Sequence, residues 1–453
     1  MLDADSCYRA IETKDARFDG QFFTGVRTTG IYCRPVCPAR APKRENCNFY
    51  PSSAAAQEAG FRPCLRCRPE VSPGLPAWIG TSATVTRALR LIDNGALDDN
   101  SVEDLAAKLG VGDRHLRRLF LDHLGATPVA VALNRRILFA KKLLTETTLP
   151  VSDIAFAAGF GSIRRFNDAM QQVYARSPRD LRKRTLVESA EGPITLRLGY
   201  RPPYRWDQIL NFLGHRAIPG LEEVTGDTYI RHSANSRITI RNLPEHHAIE
   251  ARIEGLDTVA NLRTIVEKIR QVFDLRANAL EIARHLEHAD PSLNFTPGTR
   301  VPGCWDAFEL ATRAVLGQQI TVTGARTLAH RITQKYGNRF PTPAEAQREN
   351  YNGIGLTSKR IETLQALAKA FANLDLTQGL DHIETALTAV PGIGPWTAHY
   401  IAMRAANEPD AFPASDLALR KAAGNITQKQ LEAKAEAWRP WRAYAALHLW
   451  STL

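Results

Sequence analysis

The chain has no run of apolar residues long enough for a membrane span, and Met1–Ala10 lacks the apolar stretch of a secretory leader. These two absences predict a cytoplasmic protein with no membrane partner, in a compartment where thiols stay reduced. Cysteine is scarce through most of the 453 residues: after Cys67 only Cys304 remains. A disulfide framework is therefore excluded for the larger part of the chain. Charged residues make up 23% and hydrophobic ones 44%, so the composition of a disordered chain is absent too. The length exceeds what one core usually supports and predicts about three domains.

The charge that is present is unevenly placed. The formal net charge is +11. Residues 1–184 hold 28 Lys and Arg against 19 Asp and Glu, or +9, and the remainder holds 30 against 28, or +2. A basic N-terminal portion points to a polyanion, of which nucleic acid is the usual one, or to nothing more than a soluble basic surface.

Six of the seven cysteines lie at positions 7, 33, 37, 47, 64 and 67. Cys33-Arg-Pro-Val-Cys37 and Cys64-Leu-Arg-Cys67 are two short thiol pairs, and each places two sulfurs on one side of a tight turn. Two such pairs close a tetrahedral zinc site with a charge of about −2 once four thiolates face one dication. On spacing alone the metal has two possible roles, a staple for a small domain or a participant in chemistry. Cys7, Cys47 and Cys304 have no ligand partner in the pattern and are expected to be packing or free thiols.

The residues around the pairs go further. Phe22-Phe23-Thr24-Gly25-Val26-Arg27-Thr28-Thr29-Gly30-Ile31-Tyr32-Cys33-Arg34-Pro35-Val36-Cys37, Arg44-Glu45-Asn46 and Gly60-Phe61-Arg62-Pro63-Cys64 resemble the N-terminal domain of the Ada-type alkylation-response family over about residues 5–70. The resemblance implies that Cys33 is both zinc ligand and methyl acceptor, with Cys37, Cys64 and Cys67 as the other ligands. It places DNA contacts at Thr29, Arg40, Arg62 and Arg66. The implied substrate is a methylphosphotriester, an uncharged backbone phosphate with an electrophilic methyl group. A thiolate kept deprotonated by zinc can displace it in line, once per molecule. Thioether formation would take the cluster from about −2 to about −1 and weaken its repulsion of DNA, as the charge count of a thiolate-zinc site requires.

Beyond the breaker-rich Pro73-Gly74-Leu75-Pro76, two helix-turn-helix patterns follow. Ser101 to Gly110, with Ser101 and Asp104 set as a capping pair, turns at Gly110-Val111-Gly112 into Asp113–His123, which bears Arg114 and Arg117. Val151–Phe160, with Gly159 and Gly161 at the turn, leads into Ser162–Tyr174, which bears Arg164 and Arg165. A helix from Pro128 to about Glu146 joins them. One glycine-turned helix pair is weak evidence for DNA binding, but two with basic second helices are stronger. Ile154-Ala155, Gly159-Phe160, Arg165-Phe166 and Ser177-Pro178-Arg179-Asp180-Leu181-Arg182 resemble the AraC family over residues 82–184. This implies promoter binding and activation, with RNA polymerase as a partner. Whether the arginines read bases or hold phosphates stays open.

After a second expected linker, Leu186–Pro193, the pattern changes. The Ada-type family continues with a Pro-Cys-His-Arg methyl-acceptor site, which is absent here, so that second transfer is not expected. Instead, Val390-Pro391-Gly392-Ile393-Gly394-Pro395-Trp396 reads as a helix–hairpin–helix whose Gly392 and Gly394 allow a tight turn with amides aimed at a phosphate. Phe412-Pro413-Ala414-Ser415-Asp416 lies beyond it. By itself Asp416 reads as an ordinary helix N-cap. With the hairpin it resembles the catalytic aspartate of the helix–hairpin–helix glycosylases.

Pro202-Pro203-Tyr204-Arg205-Trp206, Pro302-Gly303-Cys304-Trp305, Leu316-Gly317-Gln318-Gln319 and Trp438-Arg439-Pro440-Trp441 are similar to the AlkA-type 3-methyladenine glycosylases over about 194–453. That resemblance implies a base pocket of Trp396, Tyr400 and Trp450, and a DNA wedge at Gln319, where the family carries leucine. Bifunctional relatives place a Schiff-base lysine where Trp396 stands, so the implied reaction is monofunctional hydrolysis of an alkylated base. An alternative is a damage-sensing regulator whose C-terminal half does not catalyse.

The expected architecture is multidomain and mainly α, acting as a monomer on double-stranded DNA. It comprises a zinc-bound α/β domain (1–72), an all-α tandem helix-turn-helix domain (82–184), a small α+β domain (194–290) and an all-α helix–hairpin–helix glycosylase core (291–453). The sheet reading of the third part rests on Ala217–Arg241, where alternating stretches such as Arg237-Ile238-Thr239-Ile240 read as strands.

Overall fold

A computed structural model describes residues 3–74, 82–182, 192–233, 235–255, 259 and 261–452. Leu75 and Pro76 of the first expected linker and 186–191 of the second lie outside the described residues. The chain divides into two compact units: 1–202 with 243–267 and 275–277, and 203–242 with 268–274 and 278–453.

The first unit opens with the helix Ala4–Glu12, started by Asp3, whose carboxylate accepts from the Asp5 and Ser6 amides. Its buried face, Cys7, Ala10 and Ile11, packs with Phe22 and Cys47. Cys7 and Cys47 are thus packing residues. A four-stranded sheet follows in the spatial order Cys47–Tyr50, Phe23–Val26, Ile31–Cys33, Arg62–Pro63. The first three strands are antiparallel and the last is parallel to its neighbour.

Both helix-turn-helix pairs form. Val102–Lys108 begins with the expected Ser101–Asp104 capping box, and Asp113–Leu124 follows it. Val151–Ala157 leads to Ile163–Tyr174, whose N-cap is Ser162. The joining helix spans Pro128–Glu146, with Pro128 at its start where a missing amide hydrogen costs nothing. Ala54 and Ala55 of the short helix Ser53–Glu58 lie in one core with Leu105, Leu116, Phe120, Leu124 and Val131. The cysteine-rich part and the first helix-turn-helix therefore share an interior.

Ionic contacts reinforce that junction. Lys141 Nζ lies 3.0 Å from Glu70 Oε1, both side chains buried, and Arg68 joins Glu70 to Glu146. An antiparallel pair, Ile194–Gly199 with Ala248–Gly255, completes the unit. These two strands lie within the expected 194–290 part but outside Ala217–Arg241, the stretch on which its sheet reading rests, although Ile194-Thr195-Leu196-Arg197-Leu198 alternates buried and open positions.

In the second unit, Glu222–Thr225, Thr228–His232 and Ser236 onward form strands where alternation is expected, and they pair as an antiparallel meander. Beside it runs the helix Trp206–Arg216. Buried Glu222 is held by Arg313 and Arg231, and both arginines also reach Glu309 on the helix Ala307–Leu316. The rest is helical, and the helices Ser358–Phe371, Leu380–Thr388, Pro395–Ala405, Leu417–Ala422 and Arg442–Trp450 frame the second site. Among the described residues, no helix is long and apolar enough to cross a membrane.

Candidate metal centre and active site

Strand pairing builds the thiol cluster. Tyr32 stands beside Pro63 in the parallel register, and the Cys64 amide donates to the Tyr32 carbonyl at 3.0 Å. Cys33 and Cys64 thus leave the ends of adjacent strands together. A turn in which the Cys37 amide donates to the Arg34 carbonyl returns the second sulfur of that pair. The four Sγ atoms of Cys33, Cys37, Cys64 and Cys67 lie within 4.8 Å of one another. Metal–sulfur bonds of about 2.3 Å in a tetrahedron need sulfurs spaced about 4 Å apart, so the four thiols fit zinc.

Their mutual influence agrees with that need. Hydrogen bonding among the sulfurs pushes the Cys33 and Cys67 thiols up and holds Cys37 and Cys64 down. A set of four thiols in one place cannot ionise together without a cation. Arg34 braces the cluster: its amide donates to Cys67 Sγ at 3.3 Å and its guanidinium reaches the Cys67 carbonyl and Asp19. Cys64 and Cys67 are buried, whereas Cys33 and Cys37 are half-buried and reachable. Thr29, Arg40, Arg62 and Arg66 are all exposed.

On the helix-turn-helix pairs, Arg114, Arg164 and Arg165 are exposed. Arg117 is half-buried and bonded to the exposed Glu103 at 3.0 Å, a solvent-screened surface pair. The large apolar side chains Phe156 and Ile163 are also exposed on the second pair. Motif reading passed over them, because apolar residues on an amphipathic helix are ordinarily assigned to the core.

The second site is built on the hairpin between Leu380–Thr388 and Pro395–Ala405. Gly392 takes φ +85°, and a Cβ there would sit 2.2 Å from Thr363 Oγ1, so both conformation and space demand glycine. Gly394 caps the following helix, with Pro395 at its first position, and nothing lies within 4 Å of where its Cβ would be. Gln318, which motif reading left without a role, ties the hairpin down: its Nε2 donates to the Gly392 carbonyl and to Thr397 Oγ1, each at 3.0 Å. Arg360 holds the Gln318 carbonyl at 2.7 Å, and Gln319 next to it is exposed with φ +59°. Only the fold reveals that Gln318 and the hairpin meet, since 74 residues separate Gln318 from Gly392.

Trp396 and Tyr400, one helical turn apart, stack with ring centroids 5.3 Å apart and planes within 6°. Trp450 meets Tyr400 edge-on at 6.3 Å. Asp416 stands among them. Its Oδ2 accepts from Trp396 Nε1 at 2.8 Å, and its Oδ1 accepts from Trp450 Nε1 at 3.2 Å and from the Leu419 amide at 2.9 Å. Asp416 is therefore the N-cap of Leu417–Ala422 and a member of the aromatic cluster at once. Arg404 Nη1 donates to the Tyr400 hydroxyl at 2.8 Å. Burial pushes that phenol up, but Arg404 and Arg216 outweigh it and leave it below the usual tyrosine range. The outcome is a carboxylate held by three N–H groups beside a flat aromatic stack.

Comparison with known proteins sets these sites in a family. Residues 6–70 match the metal binding domain of Ada, 105–184 a helix-turn-helix domain and 195–306 the AlkA N-terminal domain. At 41% identity, covering 100% of this chain and 97% of the relative, it is similar to the "Probable bifunctional transcriptional activator/DNA repair enzyme AlkA" of Mycobacterium tuberculosis (strain H37Rv). The chain belongs to this family of bifunctional activator–repair proteins. The C-terminal part is 34% identical to DNA-3-methyladenine glycosylase 2 of Escherichia coli (strain K12), over 56% of this chain and 96% of the relative. The N-terminal part is 32% identical to the bifunctional transcriptional activator/DNA repair enzyme AdaA of Bacillus subtilis (strain 168), over 41% of this chain and 85% of the relative. The matched Ada domain and the converging thiols of Cys33, Cys37, Cys64 and Cys67 make zinc the metal of the first centre.

Proposed function

We propose that this protein repairs alkylated DNA by two chemistries and activates transcription in response to one of them. The observation that carries the reading is Asp416, a carboxylate set against Trp396, Tyr400 and Trp450 behind the Gly392–Gly394 hairpin. Its substrate is a duplex carrying an N-alkylated base of the 3-methyladenine type. Such a base is cationic, leaves readily and is cheap to extrude from the stack. The electron-rich rings of Trp396 and Tyr400 hold its face, a cation–π attraction of about 0.5–2 kcal/mol.

As the glycosidic bond breaks, its electron pair leaves with the base, which departs neutral. The Asp416 carboxylate faces the positive charge developing on the sugar and orients the water that adds to it. No lysine stands at the Trp396 position, so the product is an abasic site and the strand stays whole. Gly392 and Gly394 present backbone to a phosphate, and Gln319 enters the gap left by the extruded nucleotide.

At the other end, zinc held by Cys33, Cys37, Cys64 and Cys67 keeps the sulfurs as thiolates. The half-buried Cys33 Sγ attacks the methyl carbon of a methylphosphotriester, the carbon–oxygen bond breaks and the phosphate leaves as an anion. Thr29, Arg40, Arg62 and Arg66 hold the flanking backbone. Arg114, Arg117, Arg164 and Arg165 dock the two recognition helices on a promoter, where RNA polymerase is recruited. We assign these roles to residues 1–72 and 82–184, and base excision to 194–290 with 291–453. The protein acts as a monomer in the cytoplasm.

Base release from a methylated duplex tests the central assignment. Wild type is expected to release alkylated purine and Asp416→Asn to lose about 100-fold or more of that rate, as removal of one charge-stabilising group does elsewhere. A wild-type protein that releases none is instead a regulator with a non-catalytic C-terminal half. Mass spectrometry of the protein after exposure to methylated DNA is expected to find one added methyl on Cys33.

A further inference from the structure

The loop that delivers Asp416, Phe412 to Ser415, is pinned from one side by a histidine. His399 lies on the helix Pro395–Ala405 between Thr397 and Tyr400, on the element that carries both stacked rings. Its Nδ1 accepts the Phe412 amide proton at 3.1 Å. Its Nε2 lies 3.3 Å from Glu384 Oε2 on the preceding helix, Leu380–Thr388. The two contacts fix the protonation state. An amide N–H can only donate, so Nδ1 must offer a lone pair, and the ring's single proton sits on Nε2 facing the carboxylate.

Beyond Phe412 the chain folds on itself. Pro413 has no amide hydrogen, the Ala414 amide returns to the Phe412 carbonyl at 3.0 Å, and the Asp416 amide returns to the Pro413 carbonyl at 2.9 Å. The aspartate, held directly by Trp396, Trp450 and the Leu419 amide, thus ends a run of local turns that begins at Phe412. The Phe412 ring packs on Trp438, and its amide is held by His399.

We propose that His399 is a positioning residue for Asp416, and that it works only as the neutral Nε2–H tautomer. The inference rests on the glycosylase reading above. Protonating Nδ1 would set an N–H against the Phe412 N–H, break that bond and loosen the backbone at the start of the catalytic loop, while the Phe412 ring stays packed on Trp438. The charged groups facing the ring are Glu384 on its own hairpin, Asp410 at the start of the loop and Arg442 from the C-terminal helix. Asp410 is itself bound to Arg442 at 2.7 Å. Burial disfavours the imidazolium and outweighs the pull of Glu384, which leaves His399 below the ordinary histidine value and neutral at physiological pH.

Three proteins measured across pH 5–8 decide the matter, with zinc-loaded full chain and a duplex holding one alkylated purine. Asn has its Oδ1 where His has Nδ1, so His399→Asn keeps the acceptor but cannot titrate. His399→Leu has no acceptor at all. The single-turnover rate of wild type is expected to fall by several-fold to about 10-fold toward pH 5, because a ring that titrates below the ordinary histidine value is only then substantially protonated. His399→Asn should lack that acid step and keep the neutral-pH rate within a few-fold. His399→Leu should be slow at every pH, while its duplex affinity, read separately by equilibrium binding, stays at the wild-type value.

If wild type and His399→Leu release base at the same rate, or His399→Asn retains the acid step, the proposal is overturned and the glycosylase reading stands. If wild type releases no base at any pH, the glycosylase reading falls and takes this one with it. Should His399→Leu fail to fold, the contrast between wild type and His399→Asn still decides.

Discussion

Glu70 follows the last thiol of the metal cluster by three residues, and its carboxylate is buried where two parts of the first unit meet. Glu70→Gln keeps the shape and removes the charge. Lys141 Nζ, 3.0 Å away on the long helix Pro128–Glu146, would then be left as a cation in a site where its side chain is 5% exposed. Arg68 would be spared, because Glu146 also holds it. Leaving one member of a buried pair without its partner costs about 3–5 kcal/mol, and with only Lys141 abandoned the lower figure applies. For a unit of roughly 200 residues, each kcal/mol moves the melting midpoint by about 2–4 °C, so the expected fall is about 6–12 °C.

Calorimetry of the zinc-loaded chain reads that shift directly. Glu70→Gln combined with Lys141→Met should recover most of the loss, since the pair is then absent from both sides. A single variant melting within about 2 °C of wild type would refute the argument, because the junction would then not depend on the ion pair.

Three other outcomes are expected. Purified chain should hold one zinc per molecule, and chelation should make residues 3–72 sensitive to protease, because their own apolar core is small. A segment equally resistant with and without metal would contradict this. Burial pushes the Glu222 carboxyl up, but Arg313 and Arg231 hold it down to about 2. A carboxyl depressed in the folded state adds stability above its unfolded value, so the second unit should weaken as pH falls from about 4.5 toward 2, and Glu222→Gln should flatten that slope in acid melts. Gly392→Ala should cost about 1–3 kcal/mol and weaken binding even to undamaged duplex, through positive φ and the 2.2 Å approach to Thr363 Oγ1, whereas Gly394→Ala should fold normally. Equal melting and equal DNA affinity of the two variants would count against the turn geometry.

Much of this protein could be read from local pattern alone. The thiol spacing at Cys33, Cys37, Cys64 and Cys67, the capping pair Ser101–Asp104 and the glycine turn at Gly392 each depend on residues within a few positions of one another. Short-range geometry leaves little choice there: two sulfurs on one turn, one hydroxyl on one helix start, one backbone conformation without a Cβ. The strand Ile194–Gly199 alternates just as locally, yet its partner Ala248–Gly255 comes more than forty residues later, and no short window reveals that pairing.

What the amino-acid order fixed by itself was the kind of chemistry, namely clustered thiols, a hairpin and one carboxylate. Tertiary structure decided which groups act together. It brought Trp450 onto a carboxylate 34 residues away, set Gln318 under a glycine turn 74 residues on, and seated Glu70 against Lys141 across 71. It also made Asp416 both a helix cap and part of the aromatic site, two roles that compete on paper and coincide in space. The physical reason is that a carboxylate has several acceptor positions, and only packing determines which donors arrive to fill them.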